Sequence, residues 1–180
     1  MNKQKIKIQR ALLSVFDKTG IVELAESLNQ HGVEIISTGG TAKTLGDAGL
    51  QVTGISAYTG FPEIMDGRVK TINPLVEGGI LGLRDKHADD AKANNIGWID
   101  LVVCNLYPFS KVVSRADCGL MTAMDNVDIG VPTMIRSAAK NMGWATVVVY
   151  PRDYQRIIDE LDEFVEIRFE TRKKLSAKAF

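Results

Sequence analysis

The sequence has few of the residues that a secreted, metal-bound or membrane-spanning protein needs. Its 180 residues include two cysteines, Cys104 and Cys118, and two histidines, His31 and His87. This set is too small for a disulfide scaffold and does not predict a metal site. No apolar run approaches the roughly 20 residues of a membrane-spanning helix. The basic N-terminus is not followed by the apolar core of a signal peptide. We therefore expect a cytoplasmic protein with no metal and no membrane partner.

Neither sign of charge is in excess. The chain has 22 Lys and Arg against 22 Asp and Glu, so its formal net charge is zero. Proteins that bind nucleic acids or anionic membrane surfaces usually have an excess of basic residues. The sequence therefore predicts neither partner. With 45% apolar and 24% charged residues, the composition is that of an ordinary globular protein, and the length suits one domain with its own core.

Apolar runs alternate with helical patterns along the chain. Strands are predicted at 10–15, 33–37, 51–55, 99–104 and 145–149, and helices at 21–28, 41–48, 133–141, 154–161 and 171–180, with another in part of 111–124. Runs that are apolar throughout indicate strands buried on both faces. We therefore predict a single α/β domain over 1–180, a three-layer α/β/α sandwich with a mostly parallel sheet. Segment 58–84 has little periodicity and is interpreted as a long irregular loop with a function.

Ligands of such sheets bind beyond the carboxyl ends of the strands, so the residues after each strand are candidates. Thr38-Gly-Gly-Thr41 lies between a strand and a helix, where close backbone approach and free amides suit a phosphate or carboxylate. The alternative is a tight turn in which a threonine caps the helix. Lys18 follows the first strand and can converge on this turn, although a solvated lysine is the commoner case.

Two further clusters contain charged side chains that are candidates for ligand binding or catalysis. Arg68-Val-Lys70-Thr71 could neutralise an anionic ligand or an oxyanion, or be a charged surface loop. Asp128 and Lys140 flank a helix that starts near Pro132, and could pair in a cleft for proton transfer or form an ordinary ion pair. We interpret Cys104 as a small buried apolar residue, and 87–90 as a polar first helical turn rather than a metal site.

Five blocks together resemble a known family. They are "ALLSVFDKTGIVELA", "STGGTAKTL", "TGFPEIMDGRVKT", "IDLVVCNLYPF" and "VDIGVPTMIRSAAKN", in order from about Arg10 to about Asn141, with a looser likeness to Phe180. They resemble the IMP cyclohydrolase domain of the bifunctional purine-biosynthesis proteins, which join it to an AICAR transformylase domain. The resemblance implies a methylglyoxal-synthase-like fold. It also implies that the transformylase domain is absent from these residues.

The resemblance implies a reaction and roles for individual residues. The family closes FAICAR to IMP, since a carboxamide nitrogen attacks a formamide carbon and water is lost, with no metal or organic cofactor. Family members are dimers, so a homodimer is expected. The 5′-phosphate would be held by Lys18, Ser37, Thr38, Gly39, Gly40 and Thr41. The base end would be lined by Arg68, Lys70, Thr71, Cys104, Asn105, Asp128 and Ile129. Lys70 and Tyr107 would stabilise the oxyanion, while Asp128 and Lys140 would handle the carboxamide and its protons.

Several positions depart from the family's pattern. Phe16 replaces a serine, Leu83 stands where arginine is common, and Val131 replaces a glycine. Ile72, Asn73, Leu75 and Glu77 change a Lys-Thr-Leu-His-Pro-x-x-His-Gly-Gly block. The departures favour a second hypothesis, a domain of the same fold that binds a nucleotide or sugar phosphate with little or no turnover. The retained Tyr107, Asp128 and Lys140 favour the enzyme. Methylglyoxal synthase is a weaker third hypothesis, because its aspartate and histidine pattern is missing.

Overall fold

A five-stranded parallel sheet forms the centre of the computed structural model, which describes residues 2–180. The strands are β1 (Ile6–Lys7), β2 (Arg10–Val15), β3 (Glu34–Ser37), β4 (Thr53–Gly54), β5 (Leu101–Asn105), β6 (Thr146–Val148) and β7 (Glu166–Ile167). The order in the main sheet is β4-β3-β2-β5-β6, all parallel. β1 and β7 form a separate antiparallel pair. The central position of β2 places the chain that follows it in the middle of the carboxyl edge.

Helices cover both faces of this sheet. They are α1 (Ile21–Gln30), α2 (Gly39–Asp47), α3 (Ile55–Thr59), α4 (Pro74–Leu81), α5 (Ala88–Ala93), α6 (Phe109–Val113), α7 (Leu120–Asp125), α8 (Gly130–Lys140), α9 (Tyr154–Phe164) and α10 (Phe169–Ala179), with a 3-10 turn at Pro151–Asp153. Buried residues of α1, α2 and α9 share one core, and those of α3, α4 and α8 share the other. α10 packs on β6 and α8.

Successive residues of the central strands supply the two cores alternately, as the pleat of a strand requires. In β2, Leu12 belongs to the core under α4 and α8, whereas Leu13 belongs to the core under α1 and α9. Ile35 and Ile36 of β3 divide in the same way. All four side chains are buried. The predicted three-layer α/β/α fold with a parallel sheet is therefore confirmed.

The prediction for 58–84 is wrong in part, because this segment contains the helix α4. Asn73 caps it by accepting a hydrogen bond from the Leu75 amide at 2.9 Å, and Pro74 occupies its first turn. A Cβ on Gly79 would come within 2.5 Å of the Gly97 carbonyl oxygen, so this glycine allows close packing rather than a loop. Elsewhere, α2 begins at Gly39, α8 begins at Gly130, and β4 has two residues. The helix α3 and the antiparallel pair of β1 and β7 were not predicted.

Within residues 2–180, no helix combines the length and the apolar character needed to cross a membrane.

Candidate active site

The turn after β3 offers free backbone donors at the carboxyl edge. α2 begins at Gly39, whose φ of +44° lies in the left-handed region that favours glycine. The amides of Thr41 and Ala42 bond to the Thr38 carbonyl at 3.1 and 3.2 Å. The amides of Gly39 and Gly40 have no protein acceptor in the described chain. Two N–H groups at a helix start are therefore available to an anion.

Lys18 supplies a positive charge beside these amides. A Cβ built on Gly40 would lie 3.7 Å from Lys18 Nζ, so the ammonium group lies next to the turn. The same ammonium donates to the carbonyl oxygens of Val15 and Phe16, both at 3.3 Å. The predicted convergence of Lys18 on the Gly-Gly turn is thus confirmed.

The three hydroxyls of the turn contact β2. Ser37 donates to the Leu13 carbonyl at 2.7 Å, and the hydroxyls of Thr38 and Ser14 lie 2.7 Å apart. Thr41 Oγ1 donates to the Val15 carbonyl and accepts from its amide, both at 3.0 Å. All three turn residues are buried. In this arrangement the hydroxyls hold the turn on the strand, and the donors at the open edge are the glycine amides and Lys18.

Asn105, the last residue of β5, holds the chain that carries Lys18. Its Oδ1 accepts from the amides of Phe16 and Asp17 at 2.7 and 2.8 Å, and its Nδ2 donates to the Asp17 carbonyl at 2.9 Å. The adjacent Asp17 carboxylate accepts from the Thr19 hydroxyl and amide, which lowers the pKa of Asp17. Asn105 was expected to line the base end, which stays a prediction, and its amide group is engaged by the chain before Lys18.

A tight hairpin presents Arg68 and Lys70. Ile64 and Val69 form its antiparallel bridge, and the three residues 65–67 have φ between +54° and +81°. Two of them are not glycines, and such backbone strain is concentrated at functional sites. Arg68 forms an ion pair with Asp125, and Lys70 Nζ lies 3.8 Å from Glu63 Oε2. Both cations therefore have an acidic neighbour.

The start of α8 meets the end of this hairpin. A Cβ on Gly130 would lie 2.8 Å from Thr71 Oγ1, so the missing side chain lets the buried Thr71 hydroxyl approach the helix. Asp128 Oδ1 accepts from the Val131 amide at 2.9 Å. The carboxylate of Asp128 therefore lies at the start of α8, although residue 131 is valine rather than the family's glycine. Ile129 beside it is exposed.

The predicted pair of Asp128 and Lys140 is wrong. Asp128 precedes α8, whereas Lys140 is its last residue and is exposed. The eleven residues of α8 extend about 16.5 Å at roughly 1.5 Å per residue, more than a lysine side chain can bridge. The two groups thus lie at opposite ends of α8. The role of Lys140 in the site remains a prediction.

Cys104 of β5 and Glu77 of α4 lie close to α8. Cys104 of β5 is fully buried, as expected for a small apolar residue. Burial, then the charges of Asp128 and Glu77, raise the pKa of its thiol, which disfavours a nucleophilic thiolate. Ser137 donates to Glu77 Oε2 at 2.6 Å, while the buried Oε1 has no partner within residues 2–180. From the sequence, Glu77 was noted only as a departure from the family's pattern.

An open cavity of about 710 Å³ adjoins the site on the β6 side. It shares Lys18 and Asn105 with the predicted site, and its wall includes Tyr150, Lys111 and Lys178. Its lining does not include Arg68, Lys70, Thr71, Asp128 or Lys140. Lys18 of this wall also lies beside the free amides of the turn, and the hairpin carries two further cations. Tyr150 could have been found from sequence, since it follows a predicted strand at the carboxyl edge.

Phe16, which lines this cavity, forms an aromatic pair with Tyr107. The rings of Phe16 and Tyr107 meet edge to face, with centroids 4.3 Å apart and planes at 88°. No atom of Phe16 lies within 4 Å of a Cβ built on Gly39 or on Gly40. The side chain that replaces the family's serine at position 16 therefore contacts Tyr107 rather than the Gly-Gly turn.

Comparison with known proteins identifies the family. The family model described as "MGS-like domain" matches residues 20–133, a range that holds the Gly-Gly turn, the hairpin and the start of α8. The chain belongs to the MGS-like domain family. The "AICARFT/IMPCHase bienzyme" model matches residues 138–180, which follow the MGS-like region.

Two relatives of this MGS-like chain cover nearly all of it. It is 53% identical over 174 residues to the bifunctional purine biosynthesis protein PurH of Bacillus cereus (strain AH187), covering 96% of the chain and 34% of that protein. The chain thus spans about a third of the length of this curated relative. The crystal structure of ForH superposes with a TM-score of 0.87 at 33% identity, covering 96% of this chain and 89% of ForH.

Proposed function

We propose that this MGS-like chain is an IMP cyclohydrolase of purine biosynthesis, which closes the second ring of FAICAR to give IMP. The observation that carries the proposal is the 53% identity to a bifunctional purine biosynthesis protein over 96% of the chain. In the reaction, the carboxamide nitrogen bonds to the formamide carbon and gives up one proton, and the formamide nitrogen gives up another. The formamide oxygen takes up both protons, and its bond to carbon breaks as it leaves as water. The same proposal assigns the chain to the cytoplasm and makes it nucleotide-binding.

The phosphate end of the site supports this substrate class. The Lys18 ammonium lies beside the free amides of Gly39 and Gly40, so a dianionic phosphate would meet a full positive charge and two aligned N–H donors. Anchoring the phosphate there limits the freedom of the ribose and of the two reacting groups. For an intramolecular ring closure, holding the reactive conformer supplies much of the rate enhancement.

The hairpin and the start of α8 supply groups for the chemical step. Lys70 and Tyr107 would donate to the oxyanion that forms on the formamide oxygen. Asp128, at the start of α8, would accept the carboxamide proton. The proposal uses no metal or organic cofactor. A binding domain without turnover is the second candidate, favoured by the pairing of Arg68 with Asp125 and the Glu63 oxygen 3.8 Å from Lys70.

A ring-closure assay tests the proposal. FAICAR is added and the purine chromophore is followed for the wild type, Lys140→Ala and Lys43→Ala. Lys43 is an exposed lysine paired with Asp47 on α2, so its loss should leave turnover unchanged. We expect wild-type turnover and a loss of at least tenfold in Lys140→Ala, since general acid–base groups contribute about 10²–10⁴. No ring closure by the wild type, with IMP binding intact, would support the binding domain instead.

We also propose that the active form is a homodimer in which Lys140 of one copy approaches Asp128 of the other. Two catalytic groups at opposite ends of one helix cannot serve one reaction centre within a single chain. In a homodimer with a two-fold axis, the start of α8 in one copy can face the end of α8 in the other copy. The symmetry then makes the same contact twice. Exposed apolar side chains near the site offer such a contact: α7 has no buried residue, and Leu120, Met121 and Met124 are mostly exposed.

Mixing two inactive variants tests the shared site. Asp128→Asn and Lys140→Ala should each lose turnover. A re-equilibrated equal mixture should recover up to about one quarter of wild-type turnover, because half of the dimers then hold one intact site. The shared site would be refuted if the wild type sediments as a monomer, or if turnover does not recover in mixtures shown to exchange chains. Neither result decides whether the chain closes the ring, which the first assay measures.

A further inference from the structure

We infer that Phe16 is a positioning residue for Tyr107, and that its ring holds the phenol where the oxyanion forms. The inference rests on the proposed function for the role of Tyr107. Its structural basis is the edge-to-face pair, with ring centroids 4.3 Å apart and planes at 88°. Aromatic pairs prefer this geometry because the positive edge of one ring meets the negative face of the other.

The contact is not explained by burial in a core. Phe16 is 50% exposed and Tyr107 is 39% exposed, and neither belongs to the two core clusters. Both rings stand on irregular chain, Phe16 between β2 and α1 and Tyr107 between β5 and α6. An exposed side chain on such a segment samples several rotamers. A directed ring contact therefore has a large effect on where the Tyr107 hydroxyl lies.

Both members of the pair are connected to one anchor. The Phe16 amide donates to Asn105 Oδ1 at 2.7 Å, and Tyr107 follows Asn105 by two residues. The Asn105 side chain also bonds to both the amide and the carbonyl of Asp17. The backbones under the two rings are thus held together at the end of β5, and the ring contact completes the link. Preorganised donors stabilise an oxyanion best when their supporting contacts are fixed in this way.

The tests compare Phe16→Leu, Phe16→Tyr and a control, Phe164→Leu. Phe164 ends α9, and its ring contacts Lys5 and Arg168, away from the site. Phe16→Leu should lower kcat about two- to tenfold, the range that corresponds to the strength of an aromatic pair. Its KM and its affinity for IMP should stay within about twofold, because the phosphate donors are untouched. Phe16→Tyr keeps the ring and should restore kcat, and Phe164→Leu should leave kcat unchanged.

Two measurements separate positioning from a general structural effect. In a Tyr107→Phe background, where no hydroxyl is left to position, Phe16→Leu should cause no further loss of kcat. The Tyr107 ring signals in NMR should carry a ring-current shift in the wild type and in Phe16→Tyr that is absent in Phe16→Leu. A loss of kcat as large in the Tyr107→Phe background as in the wild type would overturn the inference.

The NMR comparison is independent of turnover. If the wild type closes no ring, the proposed function fails, and the Tyr107 signals with IMP present still test the contact. Unchanged Tyr107 signals in Phe16→Leu would then show that Phe16 does not fix the phenol. A full kcat in Phe16→Leu, with the ring-current shift lost, would equally refute a positioning role.

Discussion

Lys18 differs from the other cations of the candidate site in its neighbours. Arg68 is paired with Asp125, and Lys70 has Glu63 nearby, so part of their charge is already compensated. The Lys18 ammonium contacts neutral carbonyl oxygens and forms no ion pair in the described chain. Its full charge is available to a ligand that approaches the Gly-Gly turn. At the residue scale, Lys18 should therefore contribute more to phosphate affinity than either hairpin cation.

We predict that Lys18→Ala weakens IMP binding by roughly ten- to a hundredfold, which is the loss of one charge-assisted hydrogen bond to a phosphate. Isothermal titration calorimetry measures the Kd. Lys43→Ala removes a charge of the same sign from α2 and should change the Kd by less than twofold. An equal loss in both variants would mean that Lys18 acts through the general field of the protein. An unchanged Kd in Lys18→Ala would remove it from the site.

The packing of α4 on α8 leaves the Glu77 carboxyl group with only one of its two oxygens hydrogen-bonded in the described chain. Glu77 Oε2 accepts from Ser137, but Oε1 is buried and has no partner in residues 2–180. Burial raises the pKa of Glu77, and the Ser137 hydrogen bond opposes this only in part. At a pH between the pKa of Glu77 in the unfolded chain and its higher pKa in the folded protein, the folded protein holds a proton on Glu77 that the unfolded chain has released. Stability linked to this proton is present at low pH and is lost as the pH rises through the folded-state pKa.

We predict that Glu77→Gln removes this pH dependence. Relative to the variant, the wild type should lose free energy of unfolding as the pH rises above about 4.5, the ordinary pKa of a glutamate. Urea unfolding at pH 4.5 and pH 7.5 measures the difference. Glu26→Gln on α1 is the control, and it should leave the pH dependence of unfolding as in the wild type. A wild type that gains stability relative to Glu77→Gln over this range would contradict the prediction.

Strands that are mainly apolar could be predicted from sequence, and the helix α4, which contains two adjacent glycines, could not. β2, β5 and β6 are built mainly from consecutive apolar residues, and their burial on both faces follows from that pattern. α4 was missed because Gly78 and Gly79 are typical of loops. Their packing role depends on residues near 97, which are distant in sequence. The Gly-Gly turn and Lys18 were predictable because the strand order brings them together. The ring contact of Phe16 was not, since side-chain direction depends on the tertiary fold.

At the scale of the whole molecule, Arg172 of α10 joins parts that are far apart in sequence. Its guanidinium donates to the carbonyl oxygens of Gln4, Met142, Gly143 and Ile167 at 2.6 to 3.4 Å. These acceptors come from the N-terminal segment, the chain after α8 and strand β7. The side chain is fully buried, and burial lowers its pKa to about 10, so it stays charged at neutral pH. The sequence pattern described this tail only as helical and basic.

We predict that Arg172→Met strongly destabilises the protein, by roughly 3–5 kcal/mol, because four carbonyl groups lose a charged donor inside the fold. Lys173→Met, on the exposed side of the same helix, should cost less than about 0.5 kcal/mol. Urea unfolding followed by circular dichroism measures both. The affinity for IMP in the folded fraction should not change, since Arg172 contacts neither the Gly-Gly turn nor the hairpin. A similar small loss in both variants would mean that these carbonyls are satisfied by water, and that α10 is held by its apolar contacts alone.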